Sequence, residues 1–167
     1  ISDKDLCMCP NDLKKKITKN SKVIIYTQMN GRIGQIEKIK KICKKNNILL
    51  IEDAAHAIGS YNKNLHVGNA GIAASFSFSM PKLITMGQGG AVITNSKKLA
   101  TKLRYYKNFG RKNSGEDVHN FFGYNFKITD IQSLLALEQL KNINERIKIK
   151  KRIFNRYKKN LENNPHI

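Results

Sequence analysis

Apolar residues in this chain fall into two rhythms that alternate along its length. Unbroken runs at residues 23–27 (Val-Ile-Ile-Tyr-Thr) and 48–51 (Ile-Leu-Leu-Ile, continuing into Glu52-Asp53) predict short buried strands. Between them Ile36, Ile39 and Ile42-Cys43 recur at helical spacing within residues 34–45, and Asn46-Asn47 stops that helix. An earlier helix is expected over residues 10–19, entered through Pro10-Asn11-Asp12. The strand, helix, strand unit implies a right-handed crossover with parallel pairing.

The pattern continues with small and aromatic residues alternating over 71–79, a strand ended by Pro81 and the glycines that follow Lys82. A further short strand is expected at 91–95, then a helix over 96–108 capped by Ser96. Residues 110–123 read as one long loop, a length more often functional than connective. Thr129 caps a helix to residue 141, and 143–161 is a long basic amphipathic helix before Asn163-Asn164-Pro165. The expected fold is α/β, a three-layer arrangement with a mainly parallel sheet and flanking helices. Such sheets bind ligands beyond the carboxyl ends of their strands, where Asp53 would lie.

Composition narrows the function classes. At 167 residues the chain is one domain at most, and 40% hydrophobic residues support a folded core. No stretch approaches a membrane span and the N-terminus does not read as a signal peptide, so a cytoplasmic protein without a membrane role is expected. A net charge of +19 invites a nucleic-acid reading, with the 143–161 helix as the binding element. Yet the lysines are scattered over polar helix sides, with no aromatic RNA-binding strand motif or zinc spacing beside them, so no specific nucleic-acid partner is expected. The bland reading of that helix is that Ile147, Ile149 or Ile153 packs against a further domain. Three cysteines (Cys7, Cys9, Cys43) suit a reducing compartment, and His56, His66, His119 and His166 lack metal-ligand spacing; no metal is expected.

Two residues carry the candidate chemistry. Asp53 ends a buried strand and Lys82 opens the loop Lys-Leu-Ile-Thr-Met-Gly-Gln-Gly-Gly. A carboxylate that keeps a pyridine nitrogen protonated and a lysine that forms a Schiff base are what pyridoxal phosphate needs. Taken singly, Lys82 would be a solvated surface lysine and Asp53 a turn acid at a strand end.

The ordered motifs Asp53-Ala-Ala-His56-Ala, Val67-Gly-Asn, Phe76-Ser77-Phe78, Lys82, Gly87-Gln-Gly-Gly90 and Tyr124-Asn-Phe-Lys-Ile-Thr-Asp-Ile-Gln132 resemble the DegT-type sugar aminotransferases. These are pyridoxal-phosphate enzymes of the aspartate-aminotransferase fold. The resemblance covers only the middle of such enzymes. It implies a partial cofactor-binding large domain at residues 1–141, with 142–167 as a helix leading toward a small domain.

Residue by residue, the resemblance implies Lys82 as the Schiff-base lysine and catalytic proton shuttle, and Asp53 as the partner of the pyridine nitrogen. It implies His56 beside the cofactor ring and Ser77 on the cofactor phosphate, with Ser75 and Ser79 as internal controls of different register. Asn125 would reach the phosphate of a partner subunit's cofactor, which implies a homodimer with composite active sites. Gln88 departs from the family's usual Glu and removes a charge from the lysine loop. Lys82 itself argues against relatives that carry His there and dehydrate their sugar. The implied reaction moves an amino group from an amino acid, usually glutamate, to a nucleotide-linked keto sugar, with four-amino sugars of the perosamine type as one product class. The alternative is a noncatalytic scaffold or interaction protein that has kept the large-domain framework.

Overall fold

The computed structural model describes residues 1–63 and 65–164, so His166 and the Pro165 stop lie outside the described residues. Four strands form the main sheet: β1 (Val23–Thr27), β2 (Leu49–Asp53), β5 (Ala73–Ser77) and β6 (Gly90–Ile93), in the order β1-β2-β5-β6. β1, β2 and β5 run parallel, with Thr27 opposite Asp53 and Asp53 opposite Ser75. β6 pairs antiparallel with β5, Ser77 facing Gly90. The direction reverses there because residues 78–89 contain no helix, and a parallel return would need a crossover element of about that length or more. A small hairpin, β3 (Tyr61–Asn62) with β4 (Leu65–His66), lies between β2 and β5. Its two-residue arms leave no alternation to read in the sequence.

Helices α1 (Pro10–Lys16) and α2 (Ile36–Lys45) cover one face of β1 and β2. The α2 positions at helical spacing, Ile36, Ile39, Ile42 and Cys43, are all buried against Tyr26 and Leu50. α1 stops three residues before the expected end. Ile17 is extended, the Thr18 hydroxyl accepts from the Asn20 N–H, and the Ser21 hydroxyl accepts from the Thr18 N–H, so side chains outcompete the helix for backbone donors. A second cluster, Ala54, Ala57, Val67, Ala74 and Phe76, continues the same sheet face toward β5. On the opposite face Val23, Ile25, Leu49 and Val92 are exposed.

β5 is shorter than the expected 71–79. Gly71 is drawn into a backbone anchor described below, and Phe78 leaves the ladder to accept from the Met86 N–H while donating to the Gly89 carbonyl. α3 (Lys97–Lys107) has its Ser96 cap, whose hydroxyl accepts from the Leu99 N–H. α4 (Asp130–Lys141) starts at a full capping box between Thr129 and Gln132. α5 runs Ile143–Leu161 as expected, but Ile147 packs toward Gly59 of this same domain while Ile149 and Ile153 stay exposed. No helix among the described residues is long and apolar enough to cross a membrane.

Candidate active site

Strand alternation places Thr27, Asp53, Ser75 and Ser77 on one face at the carboxyl ends of three adjacent strands. The same face is apolar toward the amino ends, at Val23, Ile25 and Leu49, so the polar row sits at one edge of a hydrophobic surface. Asp53 is half-buried, its Oδ1 accepting from the Ala55 N–H at 3.2 Å and its Oδ2 from the Thr27 hydroxyl at 3.4 Å. These are long contacts for a carboxylate, which leaves both oxygens capacity for a stronger donor.

Two residues past the Asp53 level, the Ser77 hydroxyl donates to the Ser79 hydroxyl at 3.1 Å and accepts from the Ser79 N–H at 3.4 Å. Ser75 is the residue directly opposite Asp53, whereas Ser77 stands at the strand end, where an anion could meet both a hydroxyl and loop amides.

Lys82 lies in the loop that joins β5 to β6. That loop is tightly pinned: the Lys82 N–H donates to the Ser79 carbonyl, and the Met86 N–H and Thr85 hydroxyl both donate to the Phe78 carbonyl. Ile84 and Met86 are buried on either side of Thr85. Lys82 is partly buried as a residue, and its ammonium makes no hydrogen bond or ion pair among the described residues, which leaves the amine open to another partner. Glycine is required at two places here. Gly89 has φ +150° with a Cβ position overlapping the Met86 sulfur, and at Gly90 a Cβ would come within 2.5 Å of the Phe76 carbonyl oxygen. Gln88 is exposed and uses its backbone carbonyl, which accepts from Gln132 Nε2 at 3.0 Å, so this hold on the loop needs no side-chain charge at position 88.

His56 is exposed, and its Nδ1 accepts from the Asn30 N–H at 3.3 Å, which puts the ring proton on Nε2 and joins the loops after β1 and β2. Asn125 is apart from this group. It is exposed and bridges Asn108 at the end of α3, where Tyr124 and Phe126 donate to the Tyr106 and Lys107 carbonyls, with no bond to Asp53, Ser77 or Lys82.

Several residues that organise the site were not singled out from sequence. Glu52, 1% exposed, accepts from Gln28 Nε2 and the N–H groups of Gly68, Ala70 and Gly71 at 2.7–2.9 Å. Period-2 alternation in Leu49–Asp53 was the available signal, since it puts Glu52 on the same core-facing side as Leu50. Thr27 and Gln139 carried no comparable signal, because their partners are remote in sequence.

The donor set suits pyridoxal phosphate: a carboxylate with spare acceptor capacity, an unpaired amine, a hydroxyl at a strand end, and an imidazole presenting an N–H. The chain's sequence matches the DegT/DnrJ/EryC1/StrS aminotransferase family over residues 1–167. It is 36% identical over 154 residues to GDP-perosamine synthase of Escherichia coli O157:H7, covering 92% of this chain and 42% of that protein. It is 37% identical over 131 residues to the UDP-4-amino-4,6-dideoxy-N-acetyl-beta-L-altrosamine transaminase of Helicobacter pylori, covering 77% of this chain and 35% of that one. The structure superposes on Helicobacter pylori PseC, an aminotransferase involved in the biosynthesis of pseudoaminic acid, with a TM-score of 0.93 at 31% identity, over 98% of this chain and 45% of PseC. The chain thus spans less than half the length of these relatives. On sequence and fold together, it belongs to the DegT/DnrJ/EryC1/StrS aminotransferase family.

Proposed function

We propose that this chain is the central part of a pyridoxal-phosphate-dependent aminotransferase that moves an amino group from an amino acid, glutamate, to a nucleotide-linked keto sugar, for amino-sugar and surface-polysaccharide synthesis. The observation that carries the proposal is Lys82, partly buried and with its ammonium unpaired among the described residues, on a loop braced against the strand end that bears Ser77. The named activities of the bacterial relatives support the sugar class and an amine delivered to the sugar's fourth carbon.

When bound, the cofactor supplies an aldehyde for amine exchange and a protonated pyridine ring that withdraws electrons from the substrate's α-carbon. Asp53 would hold the ring-nitrogen proton and is itself kept in place by the Thr27 hydroxyl and the Ala55 N–H. Ser77 would turn its hydroxyl hydrogen from Ser79 to the phosphate. His56 would lie beside the cofactor ring with its Nδ1 still tied to the Asn30 N–H. Lys82 would hold the cofactor through Nζ and, as a free amine, would carry a proton to and from the substrate's α-carbon.

In the full-length enzyme, residues 1–141 form part of the large cofactor-binding domain and 142–167 lead to the small domain. The partner is a second copy. The exposed apolar residues of α4 (Ile131, Leu134, Leu137) and the neighbouring aromatics Phe122, Tyr124 and Phe126 supply the surface, and exposed Asn125 serves the partner's cofactor phosphate. Three free cysteines support a cytoplasmic setting.

The test is mass spectrometry of the borohydride-reduced full-length protein. A pyridoxyl adduct on Lys82, lost in Lys82→Ala, is expected. Absence of any adduct would sink the aminotransferase reading and leave the noncatalytic scaffold. The 167-residue chain alone should bind the cofactor weakly or not at all.

A further inference from the structure

α4 grips the lysine loop with two glutamines. Gln139 Oε1 accepts from the Thr85 N–H at 3.2 Å while its Nε2 donates to the Thr85 carbonyl at 2.6 Å, so one side-chain amide pairs both backbone groups of one loop residue. Seven residues earlier, two helical turns along the same face, Gln132 Nε2 donates to the Gln88 carbonyl at 3.0 Å. Gln132 Oε1 is simultaneously engaged with the Thr129 N–H at 2.9 Å, so the capping box that starts α4 also orients this donor. Arg146 at the start of α5 reaches the Leu83 carbonyl at 3.5 Å.

The clamp lies in a telling place. Thr85 is three residues after Lys82 and is the centre of the loop's own bonding: its hydroxyl donates to the Phe78 carbonyl and accepts from the Gly87 N–H. With no regular ladder across residues 79–88, the backbone of Thr85 has no strand partner, and Gln139 takes the role that a neighbouring strand would play. A side-chain amide suits this task because it carries a donor and an acceptor side by side, in the sense of a peptide group. A carboxylate could satisfy only the N–H.

We infer that Gln139, assisted by Gln132, is a positioning residue that sets where the Lys82 amine stands relative to Asp53 and Ser77. The inference rests on the aminotransferase reading. It adds that the amine's placement is built by α4, an element outside the cofactor-contacting strands. Because Asn125 lies five residues before α4, the same helix ties the lysine loop to the segment offered to the second copy.

The test separates amine placement from cofactor binding. Lys82 condenses with the aldehyde of pyridoxal phosphate, releasing water, whereas pyridoxamine phosphate has no aldehyde and binds without the lysine. In the full-length protein, Gln139→Leu should slow the condensation at least about tenfold, read by timed borohydride fixation and mass spectrometry of the Lys82 peptide. Affinity for pyridoxamine phosphate should stay within about twofold, since displacement by an ångström costs on the order of 10²-fold in a positioned reaction but little in binding elsewhere. Gln139→Glu, which keeps the acceptor for the Thr85 N–H, should fall between wild type and Gln139→Leu. An unchanged condensation rate in Gln139→Leu, or a proportionate loss of both ligands in both variants, would overturn the inference. If wild type forms no Lys82 adduct, the aminotransferase reading fails on its own, and hydrogen exchange then decides the clamp. Amides of residues 83–88 exchanging about tenfold faster in Gln139→Leu support it, and unchanged exchange overturns it.

Discussion

Gln28 Nε2 donates to Glu52 Oε2 across 2.7 Å between the carboxyl ends of β1 and β2, and both side chains are shut off from water. Glu52 Oε2 also accepts from Gly68 N–H, and Oε1 from Ala70 and Gly71. Four donors meet the four lone-pair positions of one carboxylate, which is how a buried charge is made tolerable. The residue adjacent to Asp53 therefore staples the Val67-Gly-Asn turn beneath the site. Replacing Glu52 by Gln puts an NH2 group against backbone donors, and the expected cost is about 2–4 kcal/mol in urea unfolding. A loss below about 0.5 kcal/mol would contradict this account of the anchor.

Asp53 tests the chemistry rather than the fold. Its own bonds to Thr27 and Ala55 are long, so Asp53→Asn should leave the urea midpoint nearly unchanged. On the proposed reading, the same substitution in the full-length enzyme removes the charge that would keep the ring nitrogen protonated. Turnover is expected to fall roughly 10²–10⁴-fold, the range of a positioned acid–base group, measured as amino transfer to the sugar substrate.

The loop over residues 108–125 is held by close backbone approach. Gly110 has φ +74° and a Cβ there would overlap the Phe121 carbonyl oxygen; at Gly123 a Cβ would overlap the Gly110 amide. Tyr105 stacks on Phe121 with ring centroids 4.8 Å apart, closing the same contact from the helix side. Gly110→Ala should therefore cost more than about 1 kcal/mol locally and open the loop. Limited proteolysis should cut residues 111–120 faster in the variant, and an unchanged cleavage rate would count against the contact.

Alkaline pH should weaken the domain. Burial raises the Tyr26 phenol, reinforced by neighbouring Cys7, and burial raises the Cys43 thiol. In the unfolded chain these groups ionise near about 10 and about 8.5. Above those values the unfolded state holds fewer protons than the folded one, so stability is fully present below about pH 8.5 and declines as pH rises. Urea midpoints at neutral and alkaline pH should show this decline, and Tyr26→Phe should flatten the part above pH ~10.

Much of this protein was legible in its residues because the signals are local. Ser96 and Thr129 announce α3 and α4, since a capping hydroxyl acts within three residues of itself. The Ile48 to Ile51 run and the helical spacing of Ile36, Ile39 and Ile42 are periodicities that a single face of burial imposes on the chain. Asp53 and Lys82 stood out as candidates by their places at a strand end and a glycine-rich loop, and Ser77 through motif order. The sequence by itself thus determined most of the element types, the α/β class and which residues are candidates for the chemistry. Tertiary structure decided what no local window contains: the reversal of β6, the alignment of Thr27, Asp53 and Ser75 across three strands, the four donors on Glu52, and the grip of Gln139 on Thr85. Each of these joins groups 16 or more residues apart or depends on how a loop closes. Their energies arise only when the sheet has brought distant backbones within hydrogen-bond reach, so periodicity and capping rules carry no trace of them.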